Sequence, residues 1–143
     1  MGQTLGRAPT MTVMTSHYEG GLRCRSVHAG SGRELLTDAP LDNQGRGESF
    51  SPTDLVATAL STCILTILGI VAERHGLALE GCQARVEKTM TSEGERRIAS
   101  LEVWIELPAG LENAQRQLLI RAGDGCPVKR SLEGAVPMTL HWS

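Results

Sequence analysis

The fold of this chain is decided by one long apolar stretch, residues 51–76, which reads SPTDLVATALSTCILTILGIVAERHG. Inside it, residues 55–72 carry no charge, a run that just reaches the length of a membrane span. Four Ser and Thr side chains dilute the run, and Asp54 and Glu73 bracket it closely. A helix that is apolar on all faces lies in a membrane or at the centre of a core. In a chain of 143 residues we expect a central helix, covered by a sheet and by a partner subunit.

Both ends of this helix are marked in the sequence. Ser51 fits the N-cap, Pro52 the first helical position, and Asp54 the third position of a capping box. His75 and Gly76 together form a stop signal, a cation-capable side chain followed by glycine. The sequence therefore predicts a helix that begins at Pro52, ends at His75 and extends about 36 Å.

Strand patterns lie on both sides of the helix. Alternating residues predict three strands within 12–38, an antiparallel pair over 84–89 and 99–107, and a last strand at 136–142. The segment 38–49, DAPLDNQGRGES, is typical of a loop. With two shorter helices before the last strand, the order β-β-β-α-β-β-α-α-β predicts an α+β fold. We expect one domain over 12–143, in which a curved antiparallel sheet wraps around the long helix, and a flexible tail over 1–11.

Composition excludes several classes of partner. Fourteen basic and sixteen acidic residues give a net charge of −2, and only four residues are aromatic. Neither the counter-charge nor the stacking surface for nucleic acid is present, so no such partner is expected. The first residues contain no apolar segment typical of a secretory signal, which predicts a cytoplasmic protein without a membrane partner. In that compartment the four cysteines are expected to be thiols.

Short motifs for metals, phosphates and dinucleotides are absent. No C-x-x-C, H-E-x-x-H, P-loop or G-x-G-x-x-G occurs, and the four histidines have no ligand spacing. We therefore expect no metal and no cofactor, and any chemistry should belong to the cysteines.

Cys126 has the best local environment for a reactive thiol. It precedes Pro127 at the predicted start of a short helix, where backbone N–H groups can lower a thiol pKa below its ordinary value of ~8.5. Lys129 and Arg130 add positive charge nearby. For an isolated Cys-Pro pair, however, a buried capping cysteine is the commoner interpretation.

Cys63, near the middle of the long helix, is by itself typical of a core residue. Apolar surroundings favour the neutral thiol, so a nucleophilic Cys63 would need a nearby cation. Arg23, Arg25 and Arg46 are the upstream candidates. Two further cysteines occupy strand positions and are interpreted as packing residues, namely Cys24 and Cys82.

Two segments together resemble the OsmC/Ohr family, the osmotically inducible protein C and organic hydroperoxide resistance proteins. They are GESFSPTDLVATALSTCILTILGIVAERHG, residues 47–76, and GCPVKRSL, residues 125–132. The resemblance extends over residues 12–143. It implies that Cys63 attacks the peroxide and Cys126 resolves it. It also implies an intertwined homodimer with two sites at the subunit interface.

The chain departs from the best-known branches of that family at the catalytic acid. Those branches place Glu directly after the helix-start Pro, where this chain has Thr53. Asp54 and Glu48 are the nearest substitutes, of which we select Glu48. The activating Arg comes from the loop before the helix in one branch, which indicates Arg46, our choice here. In another branch it comes from the N-terminal strands, which indicates Arg23 or Arg25.

The resemblance implies a thiol-dependent peroxidase that reduces organic hydroperoxides through a cysteine pair and is recycled by an external dithiol, without metal, haem or flavin. Two alternatives remain open. One is a small-molecule-binding or redox-sensing dimer with little peroxidase activity, which Thr53 in place of Glu favours. The other is a purely structural assembly module, in which all four cysteines would be inert to peroxide.

Overall fold

The computed structural model describes residues 8–143. Most of the predicted tail, residues 1–7, lies outside the described residues, and residues 8–11 are exposed and belong to no helix or strand. The chain divides into two compact units, one that ends at Pro52 and one over Thr53–Ser143. The assignment of 12–143 to one domain stays a prediction.

The first unit is a three-stranded antiparallel sheet. Its strands are β1 (Met14–Gly20), β2 (Arg23–His28) and β3 (Glu34–Asp38), in the order β1-β2-β3. The turn between β1 and β2 contains left-handed backbone at Gly20 and Gly21, a conformation that glycine adopts without strain. The three strands predicted within 12–38 are thus confirmed.

A loop after β3, residues 39–50, folds back onto the end of that strand. The Asp38 N–H donates to the Phe50 carbonyl at 3.0 Å, and the Gly47 N–H donates to the Ala39 carbonyl at 3.2 Å. At Gly45 a Cβ atom would lie 1.7 Å from the Ala39 carbonyl oxygen, so only glycine fits there. The loop is therefore tied to the sheet at both of its ends.

The second unit is built on the long helix α1 (Pro52–His75), whose predicted first and last residues are confirmed. Its buried residues are Ala57, Leu60, Ser61, Ile64, Leu68 and Ala72, of which Ala57, Leu60, Ile64 and Leu68 recur every three or four positions and belong to one hydrophobic core. The helix is long and apolar enough to cross a membrane, with a mean hydropathy of 2.3, a property that core helices share. Other faces of α1 are less covered, and the side chain of Ile70 is 42% exposed.

The second sheet contains β4 (Gln83–Met90), β5 (Ile98–Glu106) and β6 (Met138–Trp142), in the order β4-β5-β6. β4 and β5 pair antiparallel, which confirms the predicted pair, and the inward side chains of β5 are buried. β6 pairs parallel to β5. Helices α2 (Asn113–Asp124) and α3 (Pro127–Leu132) form the crossover that a parallel pair requires.

The predicted α+β class, with a long helix, is confirmed. The strands are distributed differently from the expected single antiparallel sheet, because the described residues form two three-stranded sheets and one of them contains a parallel pair. Strand alternation reports which face of a strand is buried and not which neighbour it pairs with.

Candidate functional site

The structure brings Cys63 and Cys126 together within the second unit. Cys126 is the N-cap residue of α3, and Cys63 lies on α1 beside the buried Ile64. The two thiols lie close enough to interact, and this interaction raises the pKa of Cys126. Cys126 is fully buried and Cys63 is half-buried, so the two thiols differ in their access to solvent.

Two glycines position Cys126 at the turn between α2 and α3. A Cβ atom on Gly123 would lie 2.4 Å from the Trp142 ring, so α2 approaches β6 more closely than any other residue would allow. The Cys126 N–H donates to the Gly123 carbonyl at 3.2 Å, and the Arg130 guanidinium lies against Gly125. Close packing at this turn thus fixes where the Cys126 sulfur lies.

Burial raises the pKa of the Cys126 thiol, and this is the largest effect on it. The Lys129 N–H, which donates to Sγ at 3.3 Å, lowers that pKa, whereas the hydrogen bond with Cys63 and the charge of Cys63 raise it. The expectation that a helix start would lower this pKa is therefore wrong, because desolvation outweighs the backbone N–H groups. The Lys129 ammonium does not compensate, since it binds the Asp124 carbonyl and Glu133.

The other two cysteines do not belong to this pair. Cys82 is half-buried against the core of the second unit, and burial raises its pKa, in agreement with a packing residue. Cys24 is half-buried on β2 of the first unit. All four cysteines are free thiols.

A cluster of charged side chains occupies the first unit. Arg23 on β2 forms an ion pair with Glu48 of the loop, and its Nη2 atom lies 3.6 Å from the Asp38 carboxylate. The Glu48 N–H donates to Asp38 Oδ2 at 3.0 Å. The hydrogen bond to Glu48, followed by the charges of Glu48 and Asp38, raises the pKa of Arg23. The three residues line a cavity of about 260 Å³. The guanidinium of Arg23 thus lies between two carboxylates at this cavity.

The predicted catalytic residues are thus distributed between both units. Arg46 is exposed and forms no side-chain hydrogen bond or ion pair with residues 8–143. Glu48 pairs with Arg23 rather than with Arg46. Arg25 is engaged by Glu19 at 2.8 Å and by Glu34 at 2.9 Å. Of the three candidate arginines, only Arg23 is therefore bound to the candidate acid.

Sequence reasoning missed Asp38, which was interpreted as the first residue of a loop. Asp38 is the last residue of β3 and the register partner of Arg23 across the β2–β3 pair. An opposite-charge pair at matching strand positions would have been the signal, but the register of the two strands is needed to see it.

The start of α1 carries a different polar arrangement from the one the resemblance implies. The Lys88 ammonium of β4 donates to Thr53 Oγ1 at 2.8 Å and lies 2.7 Å from Asp54 Oδ1. The Lys88 side chain is only 13% exposed. Asp54, the second candidate to replace the Glu that the family places after the helix-start Pro, therefore forms an ion pair with a lysine of the sheet.

No group of three or more His, Cys, Asp and Glu side chains within residues 8–143 is arranged to hold a metal ion.

Comparison with known proteins identifies the family. The model of the OsmC-like protein family matches residues 45–141, which is more than half of the chain. The chain therefore belongs to the OsmC-like family, and the resemblance seen in the sequence is confirmed. No curated protein matches the sequence.

Solved structures agree with this assignment. A protein from Psychrobacter arcticus 273-4, described as an osmotic stress induced and detoxification response protein, is 35% identical, with a TM-score of 0.86 over 95% of this chain and 98% of the other. An organic hydroperoxide resistance protein OsmC from Legionella pneumophila is 21% identical, with a TM-score of 0.73 over 96% and 99%. The organic hydroperoxide resistance protein OhrB of Bacillus subtilis is 18% identical, with a TM-score of 0.66 over 94% and 98%. The last two show likeness of fold.

Proposed function

We propose that this protein is a thiol-dependent peroxidase that reduces organic hydroperoxides. The observation that carries the proposal is the neighbouring pair of Cys63 and Cys126, which interact with each other and whose two thiols have unequal exposure. A half-buried thiol can meet a substrate, while a fully buried neighbour can react only with that thiol. Membership of a family whose solved structures include organic hydroperoxide resistance proteins supports this substrate class.

The reaction divides between the two sulfurs. The thiolate of Cys63 attacks one oxygen of the hydroperoxide, the O–O bond breaks, and the alkoxide takes up a proton and leaves as an alcohol. Cys63 is then a sulfenic acid, which condenses with the Cys126 thiol to a disulfide and releases water. An external dithiol returns both cysteines to thiols by exchange and is itself oxidised to a disulfide. The cycle needs no metal and no organic cofactor.

The raised pKa of Cys126 suits the second step. A thiol that stays neutral does not compete with Cys63 for the hydroperoxide, because the thiolate is the nucleophile. The two thiols already interact in the reduced protein, so the reacting sulfurs start close together once Cys63 has been oxidised.

A guanidinium is proposed to stabilise the Cys63 thiolate, and a carboxylate to orient it. Arg23 and Glu48, which form an ion pair within the first unit, are proposed for these two roles. Arg46, the candidate chosen from the sequence, stays a prediction, and the same measurement tests both arginines.

The proposal includes a cytoplasmic homodimer, recycled by a soluble dithiol. Large apolar side chains that stay exposed in the single chain support a partner surface, among them Ile70 on α1 and Leu36 on β3.

The test is consumption of cumene hydroperoxide by the purified protein with dithiothreitol as the reductant. Cys63→Ser should abolish turnover, and Cys126→Ser should permit one oxidation of Cys63 without a disulfide. Cys82→Ser, which removes a packing thiol, is the matched control and should keep the activity. Peptide mapping after peroxide treatment should find Cys63 bonded to Cys126 within one chain. A Cys24–Cys82 disulfide, or turnover in Cys63→Ser, would contradict the mechanism.

A second candidate function is a redox-sensing dimer with little turnover. It is favoured by the start of α1, where Thr53 replaces the expected Glu and is held by Lys88. A sensor would form the Cys63–Cys126 disulfide but consume little hydroperoxide in the presence of dithiothreitol, whereas an enzyme would consume many equivalents.

A further inference from the structure

Asp38 is the most buried charged residue of the first unit, and its surroundings are unusual for a carboxylate. Its side chain is 1% exposed, and its Oδ1 atom has no hydrogen-bond partner among residues 8–143. A buried oxygen without a partner is unfavourable, and a buried charge requires a counter-charge. Arg23, at 3.6 Å, is the counter-charge that the structure provides.

Both polar groups of Asp38 that do have partners hold the loop that carries Glu48. Its backbone N–H donates to the Phe50 carbonyl at 3.0 Å, and its Oδ2 atom accepts the Glu48 N–H at 3.0 Å. Two bonds from one residue thus fix the loop at positions 48 and 50, which have one residue between them. The backbone of Glu48 cannot move without breaking the bond to Asp38.

The same carboxylate also restrains the other half of the ion pair. Arg23 and Asp38 are register partners on adjacent antiparallel strands, a position in which opposite charges attract across the sheet. The Arg23 guanidinium, 41% exposed, binds Glu48 on one side and faces Asp38 on the other. A guanidinium between two fixed carboxylates has few alternative orientations.

We infer that Asp38 is a positioning residue, which holds the Arg23–Glu48 pair in the arrangement used for hydroperoxide reduction. This inference rests on the proposed function. Asp38 acts through its two neighbours and does not touch the substrate. It is therefore distinct from the cysteine pair and from the arginine and the acid themselves.

Two substitutions separate the contributions of Asp38. Asp38→Ala removes the charge and the acceptor of the Glu48 N–H, and it should lower kcat/KM for cumene hydroperoxide by more than about tenfold. Asp38→Asn keeps an oxygen that can accept a hydrogen bond from this N–H, so it should lower kcat/KM less. Ser31→Ala is the control, because it removes a side-chain acceptor of a backbone N–H at the opposite end of the same strand pair. It should keep the wild-type rate.

A double-mutant cycle distinguishes positioning from a general loss of stability. In an Arg23→Ala/Glu48→Ala background, Asp38→Ala should change kcat/KM by less than about threefold, since both residues that it positions are gone. An equal loss in both backgrounds would overturn the inference.

Nuclear magnetic resonance of the reduced protein provides a readout that does not need activity. In Asp38→Ala the Glu48 amide and the Arg23 guanidinium signals should shift towards those of unpaired groups, while Ser31→Ala leaves them in place. Unchanged signals would overturn the inference. If the wild-type protein reduces no hydroperoxide, the proposed function fails, and these signals still decide whether Asp38 holds the pair.

Discussion

Arg23 is the residue whose surroundings differ most from what the sequence indicated. It is bound to Glu48, whereas the loop arginine Arg46 has no partner among residues 8–143. A guanidinium that is already held in place stabilises a developing negative charge more than one that must be ordered during the reaction.

We therefore expect Arg23→Ala to slow the oxidation of Cys63 by an organic hydroperoxide more than tenfold, about 1.4 kcal/mol of activation free energy. Arg25→Ala is the matched control on the same strand, because Arg25 is bound to other carboxylates, Glu19 and Glu34, and should change the rate little. Stopped-flow measurement of a single oxidation gives the rate. A wild-type rate in Arg23→Ala with a collapse in Arg46→Ala would assign the role to the loop.

Cys126 offers a second test at this scale. Burial raises the pKa of its thiol, and the hydrogen bond and charge of Cys63 raise it further. Cys63→Ala removes the contribution of Cys63, so the pKa of Cys126 should fall towards its ordinary value while staying above it. The thiolate absorbance at increasing pH measures this, with Cys63→Ala/Cys126→Ala as the blank. A pKa that rises in Cys63→Ala would contradict the assigned causes.

The raised pKa of Cys126 also makes stability depend on alkaline pH. The folded pKa lies above the unfolded value, so the unfolded chain releases its proton first as pH rises. The stability that the neutral thiol contributes is complete below the unfolded pKa of ~8.5 and is lost as pH rises through the folded pKa. Urea unfolding should therefore show a free energy of unfolding that decreases above that pH, less steeply in Cys126→Ala.

Among the elements, α2 packs so closely against its neighbour that the position of Gly123 has no room for a larger residue. A Cβ atom on Gly123 would lie 2.4 Å from the Trp142 ring and 3.5 Å from Ile64. Gly123→Ala should destabilise the protein by about 1–3 kcal/mol through overpacking. Thermal unfolding measures the loss. Trp142→Leu makes room at the same place, so Gly123→Ala should cost less in that background, and an equal cost would show that the ring is not the obstacle.

The elements themselves were largely predictable, since their signals are local. The caps and the uncharged run of α1 determine its ends, and alternation determines β4 and β5. The parallel partner of β5 was not predictable, because periodicity carries no information on neighbours. The Arg23–Asp38 pair was not predictable for the same reason, because it depends on the register of two strands.

The cysteine pair was predictable only through the family resemblance. The residues around Cys63 and Cys126 favour core packing for one and a capping role for the other. Their proximity depends on tertiary packing at Gly123, which no local pattern specifies. Burial of Cys126 is likewise a property of the folded chain, and it reversed the sign of the expected pKa shift.

For the whole molecule we expect a stable homodimer. Apolar side chains of α1 outside its buried stripe, such as Ile70, remain exposed in one chain, and obligate dimers bury upwards of ~2,000 Å². Light scattering at micromolar concentration should give twice the chain mass. Ile70→Glu should weaken the dimer, whereas Gln117→Glu, at an exposed position of α2, is the control. A stable monomer of the wild-type protein would contradict this.

The parallel pairing of β5 with β6 has a consequence for how the protein forms. Leu101 pairs with Met138 and Ile105 with Trp142, so the two strands can meet only after the chain between them, which contains α2 and α3, has been synthesised. Pairings between residues this distant along the chain require a large loop to close and form slowly. During synthesis the edge of β5 that pairs with β6 therefore stays open until β6 has left the ribosome. In that interval the nascent chain is most exposed to aggregation, and chaperones would be most useful to it then.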